Sequence, residues 1–188
     1  MFDVDTLVAD CRAAQHESEP LRAIKEVLAR AMSRPSEITD ALGEPAMGGL
    51  RMLHHTPELT VINVIWAPGM VLRPHDHRMW AAIGVYGGQE DNTFFRRDPE
   101  KGLTTSGGKS LGEQDIVLLG DDTIHSVANP RTHEFTGAIH VYNGDFVNQP
   151  RSQWDPDSLE EQPHDMAVTI AAFDEANAAW KARQQEAG

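Results

Sequence analysis

The sequence contains a single cysteine, Cys11, in 188 residues. No intramolecular disulfide can form, which excludes a disulfide-stapled scaffold and fits a reducing, cytoplasmic setting. Leu7 and Val8 lie at helical spacing from Cys11, so it is expected to be a small buried residue rather than a reactive thiol. Also lacking is any apolar run near the ~20 residues of a membrane span. The first ten residues, MFDVDTLVAD, have no basic stretch followed by an apolar one, so no secretory leader is expected. Positive charge is scarce, with 16 Lys and Arg against 29 Asp and Glu, for a formal charge of −13. The arginines are scattered and form no basic run. Nucleic acid and anionic membranes are therefore excluded as partners, because phosphate would be repelled. No internal repeat or low-complexity tract interrupts the chain.

What is present falls into three zones of what is expected to be one structural domain. Residues 1–44 read as helices that pack on a barrel. Val4, Leu7, Val8 and Cys11 make one stripe, and Leu21, Ile24, Val27, Leu28 and Ala31 another. Pro20 suits a helix start, and Pro35 a break between helices. Residues 45–150 change texture. Short runs such as LTVINVIW (59–66), MWAAIGVYG (79–87), NTFFRR (92–97), DIVLLG (115–120) and EFTGAIHVYN (134–143) alternate with turn residues, which predicts a mainly β sandwich or barrel. Residues 151–188 read as a polar extension and then a helix from about Asp165. Its apolar stripe is Met166, Ile170, Phe173, Ala176 and Trp180, and the last residues, ARQQEAG, are expected to fray.

The chemistry-bearing pattern begins at His75-Asp76-His77. On a strand, residues 75 and 77 share a face, so both imidazoles can reach one ion. Met79, Ala81, Ile83 and Val85 would continue that face with apolar groups. Gly69 lies six residues before His75, and Gly87 and Gly88 follow His77 by ten and eleven. Downstream come Gly112, Gly120-Asp121-Asp122, His125 and Asn129. This order resembles the two-part motif of the cupins, with Gly120 and Asp122 in place of the usual Pro and Gly. The resemblance implies a cupin double-stranded β-helix, a jelly-roll barrel, with His75, His77 and His125 as metal ligands. The glutamate common in that motif is absent, since Ala81 and Ala82 occupy its positions. Three neutral imidazoles then leave a divalent ion its full charge and open positions, which attract anions.

Ala138, His140 and Tyr142 share one face of a later strand, and His140 follows His125 by fifteen residues. His140 and Tyr142 read either as a hydrogen-bonded core pair or as groups beside the metal. The set HDH, a later His and HxY is similar to the cysteine dioxygenase and 3-mercaptopropionate dioxygenase family of thiol dioxygenases. The stretch VIWAPGMVLRPHDH (64–77) resembles that family as well, and the likeness spans roughly residues 45–146. It implies an Fe(II) cofactor, with Zn, Ni or Cu as substitutes, and His140 and Tyr142 as outer catalytic groups. Ala138 stands where the family has a serine that holds the histidine. Ala82 falls at the position of the cysteine that animal members join to the tyrosine, so Tyr142 would be unlinked.

The same likeness places Arg51 near the arginine that binds substrate carboxylate; the alternative is a solvated arginine on a strand edge. The implied reaction is oxidation of a small thiol by dioxygen to a sulfinate. Alternatives are another three-histidine cupin oxygenase, of the β-diketone type, or a non-catalytic cupin that binds a metal or small anion. The oligomeric state stays open between monomer and homodimer. His16, His54, His55, His133 and His164 are expected to be exposed or structural. Trp80 is expected between sheet and helix, and Arg96-Arg97 at a solvated strand end.

Overall fold

Asp3 starts the first helix, its carboxylate accepting the Thr6 N–H at 2.8 Å and so satisfying one of the donors that a helix start leaves free. The computed structural model describes residues 1–100 and 102–186. Helices α1 (Val4–Ala14), α2 (Pro20–Met32) and α3 (Pro35–Leu42) come first. Pro20 and Pro35 open α2 and α3, where the missing N–H costs nothing. Among the described residues eleven strands follow: β1 (Gly49–His55), β2 (Thr60–Trp66), β3 (Val71–Asp76), β4 (Ala81–Gly87), β5 (Glu90–Asp98), β6 (Gly102–Leu111), β7 (Ile116–Leu119), β8 (Ile124–Ala128), β9 (Thr136–Tyr142), β10 (Ser152–Trp154) and β11 (Glu161–Pro163). Helix α4 (Met166–Glu186) ends the described chain. It stays helical through Glu186, whereas fraying was expected from Ala182; Ala187 and Gly188 lie outside the described residues.

The strands form two antiparallel sheets, one ordered β1-β2-β9-β4-β7 and the other β11-β10-β3-β8-β5-β6. This is the mainly β architecture expected from the strand spacing, in the jelly-roll form that the cupin resemblance implies. Alternation along each strand divides the apolar residues between two cores. Ile62, Val64, Trp66, Ala81, Ile83, Val85, Ala138 and Tyr142 point between the sheets. Val61, Ala82, Tyr86, Ile139 and Val141 point outward, onto Leu7, Cys11, Ile24, Leu28 and Met32 of the helices. Cys11 is fully buried there, and burial pushes its thiol up to about 12, so it packs as a small apolar group. Trp80 is half-buried against the same cluster, as expected from its parity.

The outer face of the first sheet leaves no room at Gly137. A Cβ there would lie 2.3 Å from the Tyr86 ring, which is buried and donates to Asn63 Oδ1 at 2.9 Å. Gly137→Ala must push that ring out of its hydrogen bond. The variant is expected to lose about 1–3 kcal/mol, the usual range for overpacking, read as a lower denaturation midpoint with an unchanged urea m-value.

Helix α4 lies across one end of the barrel. Asn177 exchanges two hydrogen bonds with the backbone of Gly48, at 2.7 and 2.9 Å, and Arg183 donates to Pro68 O at 2.8 Å. Its inner face is Met166, Thr169, Phe173 and Ala176, with Trp180 edge-on to Phe135. Ile170, expected in that stripe, is 51% exposed. The contact face follows the 166-169-173-176-180 spacing instead, which seats Thr169 over the interior. Among the described residues, no helix is long and apolar enough to cross a membrane.

Candidate metal centre

The path of the chain through His75-Asp76-His77 is set by the middle residue. Asp76 is 1% exposed; it accepts from Arg78 Nε at 2.6 Å and from the Ser152 N–H at 2.7 Å, and Arg97 Nη2 lies 3.7 Å away. Strand β3 ends at Asp76, and Arg78 takes a left-handed φ of 56°. That conformation is costly for a non-glycine residue, and the Asp76–Arg78 pair helps to hold it. The expectation of one strand running from His75 to Val85 is therefore corrected: the chain turns at Arg78 and re-enters the barrel as β4. Met79, Ala81, Ile83 and Val85 still line the interior, but from another strand.

The three imidazoles meet nonetheless. His75 and His125 are cross-strand partners of β3 and β8, and His77 follows the strand end. Ring centroids lie 4.6 Å apart for His75–His125, 4.9 Å for His77–His125 and 5.1 Å for His75–His77. One nitrogen from each falls within 4.8 Å of the others. The Nε2 atoms of His77 and His125 are 3.3 Å apart, close to the ~3.0–3.4 Å expected when two imidazoles share an ion at ~2.1 Å. Burial lowers the pKa of all three, His75 to about 3, so all are neutral near pH 7.

The tautomers can be read from the second nitrogens. His75 Nδ1 donates to Arg73 O at 3.0 Å, which leaves its Nε2 lone pair free. Glu90 accepts from Asn92 Nδ2 at 2.9 Å, so Asn92 Oδ1 faces His125 Nδ1 at 2.7 Å and accepts its proton. The Nε2 lone pair of His125 then points at His77. His77 Nδ1 has no hydrogen-bond partner, so the His77 proton can sit there and leave the His77 Nε2 lone pair to face the same point. The donor set therefore fits one divalent metal ion, with His75, His77 and His125 as its ligands.

A cavity adjoins these rings. His140, Tyr142, Trp66, Phe146, Arg151 and His164 line it, and Met166, Thr169 and Phe173 of α4 close it. His140 Nδ1 and the Tyr142 hydroxyl are 3.0 Å apart, and the Tyr142 ring stands edge-on to His77 at 5.0 Å. Burial pushes the Tyr142 phenol well above its ordinary value, so it keeps its proton. Glu90 is fully buried behind His140. It accepts from Trp66 Nε1 at 2.8 Å, and its Oε2 is 3.6 Å from His140 Nε2. Burial opposes its charge, but the nearby His140 ring and the hydrogen bonds from Asn92 and Trp66 prevail and hold its pKa below the ordinary value.

Arg151 is the cavity's cation. It is 8% exposed, its guanidinium sits 4.0 Å over the Phe146 ring, and Phe146 in turn stacks on Tyr142 at 4.0 Å. It donates to Phe146 O and lies 3.3 Å from His164 Nε2, while its Nε has no partner. Among the described residues no carboxylate lies within 4.0 Å of it. Burial, with Arg151 beside it, pushes His164 down to about 4.

Arg51, by contrast, lies outside the cavity. It is exposed and donates to Leu42 O at 3.2 Å. Its register explains this. Arg51 pairs with Asn63, which faces outward to Tyr86, whereas Leu50 pairs with inward-facing Val64. Arg51 is thus the solvated strand arginine of the two readings. The neighbour of Tyr142 on β4 is Ala81, not Ala82, which faces the helices. Neither carries a thiol, so Tyr142 is unlinked. His164 lines the cavity, against the expectation of a merely exposed or structural residue. Arg151, Glu90, Asn92 and Phe146 had no motif to announce them. Arg97 is also more than a solvated strand end, since it pairs with Glu161 at 2.9 Å and sits 5.1 Å over Trp154.

Two antiparallel sheets closed around a three-histidine cluster define a cupin-type double-stranded β-helix with the donors for a metal ion. No protein-family model matches the chain. Among solved structures, it is similar to a conserved double-stranded β-helix protein from Klebsiella pneumoniae, at 15% identity over 61% of this chain and 87% of that one, with TM-score 0.47. An RmlC-like cupin from Methanocaldococcus jannaschii shares 10% identity over 53% of this chain and 83% of its own, with TM-score 0.42. Bacillus subtilis oxalate decarboxylase shares 18% over 56% of this chain and 28% of its own, with TM-score 0.44. These likenesses concern the fold.

Proposed function

We propose that the protein is a mononuclear non-haem iron dioxygenase that oxidises a small carboxylate-bearing thiol, of the cysteine or 3-mercaptopropionate type, to its sulfinate. One observation carries the reading: a buried guanidinium with no carboxylate partner among the described residues shares a small cavity with three neutral imidazoles. A buried cation without a counter-charge is costly, and an anionic ligand removes that cost. A ferrous ion on His75, His77 and His125 would supply Lewis acidity towards a thiol and redox chemistry towards dioxygen.

The protein's own residues do the rest. Arg151 binds the carboxylate through its free Nε and remaining N–H groups, and stacking on Phe146 fixes its plane. Tyr142 places its hydroxyl oxygen beside the reacting end of the ligand, with its O–H turned to His140. Met166 and Phe173 exclude water from the far side. Overall, RSH and O2 give RSO2H: the O–O bond breaks, two S–O bonds form, and sulfur supplies the electrons that dioxygen takes. No external reductant is needed.

Oxygen uptake by iron-loaded protein tests this with cysteine, 3-mercaptopropionate and cysteamine. Uptake with sulfinate formation is expected for a carboxylate thiol and not for cysteamine. Arg151→Gln should raise KM for that thiol by about 10–100-fold, the worth of one or two hydrogen bonds to a charged group. Arg51→Ala should stay within about twofold of wild type. Absence of thiol-dependent uptake, with iron confirmed in place, defeats the proposal. Cleavage of a β-diketone that ignores Arg151→Gln would identify the other three-histidine chemistry.

A further inference from the structure

We propose that Glu90 is a positioning residue that fixes two tautomers at once, that of His140 directly and that of the metal ligand His125 through Asn92. The proposal rests on the three-histidine reading of the centre but not on the identity of the substrate. Ala138 faces the interior on the strand of His140 and offers it no hydroxyl, so the orientation of His140 has to come from elsewhere. Glu90, at the start of β5, is the group that approaches its free nitrogen, 3.6 Å from Nε2. His140 Nε2 has no hydrogen-bond partner, so Glu90 acts on it through its charge at 3.6 Å.

A carboxylate accepts and does not donate. With one proton on the imidazole, that proton therefore sits on Nε2, facing Glu90, and Nδ1 is left to accept from the Tyr142 hydroxyl at 3.0 Å. Tyr142 then presents an oxygen lone pair, rather than its O–H, to the cavity. The same carboxylate orients the Asn92 amide at 2.9 Å, which presents Oδ1 to His125 Nδ1 at 2.7 Å and frees the His125 Nε2 lone pair for metal. Trp66 Nε1, at 2.8 Å, anchors the carboxylate between these two tasks. A fully buried acid with three polar neighbours and, among the described residues, no Lys or Arg partner is thereby accounted for.

Long-range 1H–15N NMR of the metal-free wild type at pH ~8, above the ordinary histidine value of ~6.5, reads both tautomers without any substitution. The expected result is His140 protonated on Nε2 and His125 protonated on Nδ1. His140 protonated on Nδ1 overturns the proposal. Glu90→Gln, whose amide can donate, should shift His140 toward the Nδ1–H form and lower Co2+ affinity by about 10–100-fold, as loss of an outer partner typically does. Asn92→Leu should lower Co2+ affinity by a similar factor and leave His140 unchanged. A Glu90→Gln protein that folds by circular dichroism and keeps both tautomers also overturns it. If wild type takes up no Co2+ while the tautomers are as expected, the metal reading fails and the positioning role stands.

Discussion

Replacing His125 with alanine is expected to abolish tight metal uptake and, with it, all metal-dependent thermal stabilisation. The reasoning starts from ligand number. Three imidazoles converge in a closed cavity, and no carboxylate belongs to the cluster. Removal of one leaves two neutral ligands, and among the described residues no fourth belongs to the cluster. His125 is also the ligand with the best-defined outer partner, so its loss leaves Asn92 Oδ1 buried without a donor, at a cost of about 1–3 kcal/mol to the metal-free protein. Wild type with free metal at 100 times its Kd should gain ~2.7 kcal/mol. For a chain of this size that is a rise in Tm of roughly 5–11 °C, at about 2–4 °C per kcal/mol. His125→Ala should show no rise under the same metal concentration, and His133→Ala, at an exposed position, should keep all of it. Scanning fluorimetry with and without Co2+ or Zn2+, together with metal analysis after desalting, measures both. A metal-dependent rise that survives in His125→Ala would remove the centre from the three histidines.

Much of this centre was legible in the sequence, and the reason lies in strand geometry. His75 and His125 pair across β3 and β8, so the distance along the chain between them is cancelled by one register position. The glycines and turn residues between them mark that return. Parity along β9 likewise put Ala138, His140 and Tyr142 on one face. Arg51 failed on the same principle. A shift of one residue reverses the face of a strand, and β1 was reached only by counting through a turn of unknown length. Its inward neighbour is Leu50.

Arg151 was illegible for a different reason. It belongs to no element with a period, standing between the end of β9 and a three-residue strand, β10, that pairs with β3 at Gln153 and His75. Only tertiary structure brings that segment over the cavity. Glu90 stands at the start of a polar strand and looks like a solvated acid until Trp66, Asn92 and His140 are seen around it. Local pattern thus reaches the ligands, which the barrel strands place in register. It does not reach the groups that loops and neighbouring strands turn toward them.

The burial that keeps the three imidazoles neutral also makes the metal-free protein sensitive to acid. In the folded state His75 has its pKa lowered to about 3, and His77 and His125 lie well below their ordinary value. In the unfolded chain each returns to ~6.5. Above that value both states hold neutral rings, and these groups add no pH dependence. Between it and the folded value, the unfolded chain binds protons that the folded chain refuses. Unfolding then takes up protons, and stability falls as pH falls. Each group contributes up to ~1.36 kcal/mol per pH unit, so three together approach ~4 kcal/mol per unit. His164, lowered to about 4, acts in the same direction. Set against the 5–15 kcal/mol that holds a typical domain, this slope should bring unfolding of the metal-free protein between pH ~5.5 and ~3.5. Circular dichroism across an acid titration measures the midpoint. Metal-loaded protein should unfold at a lower pH, because the ion occupies the lone pairs that protons would take and must be displaced first. The metal-loaded midpoint should also fall further as free metal is raised. A metal-free protein whose stability stays flat from pH 8 to pH 5 would show that the histidines are already hydrated in the folded state, and the dry, neutral cavity would have to be given up.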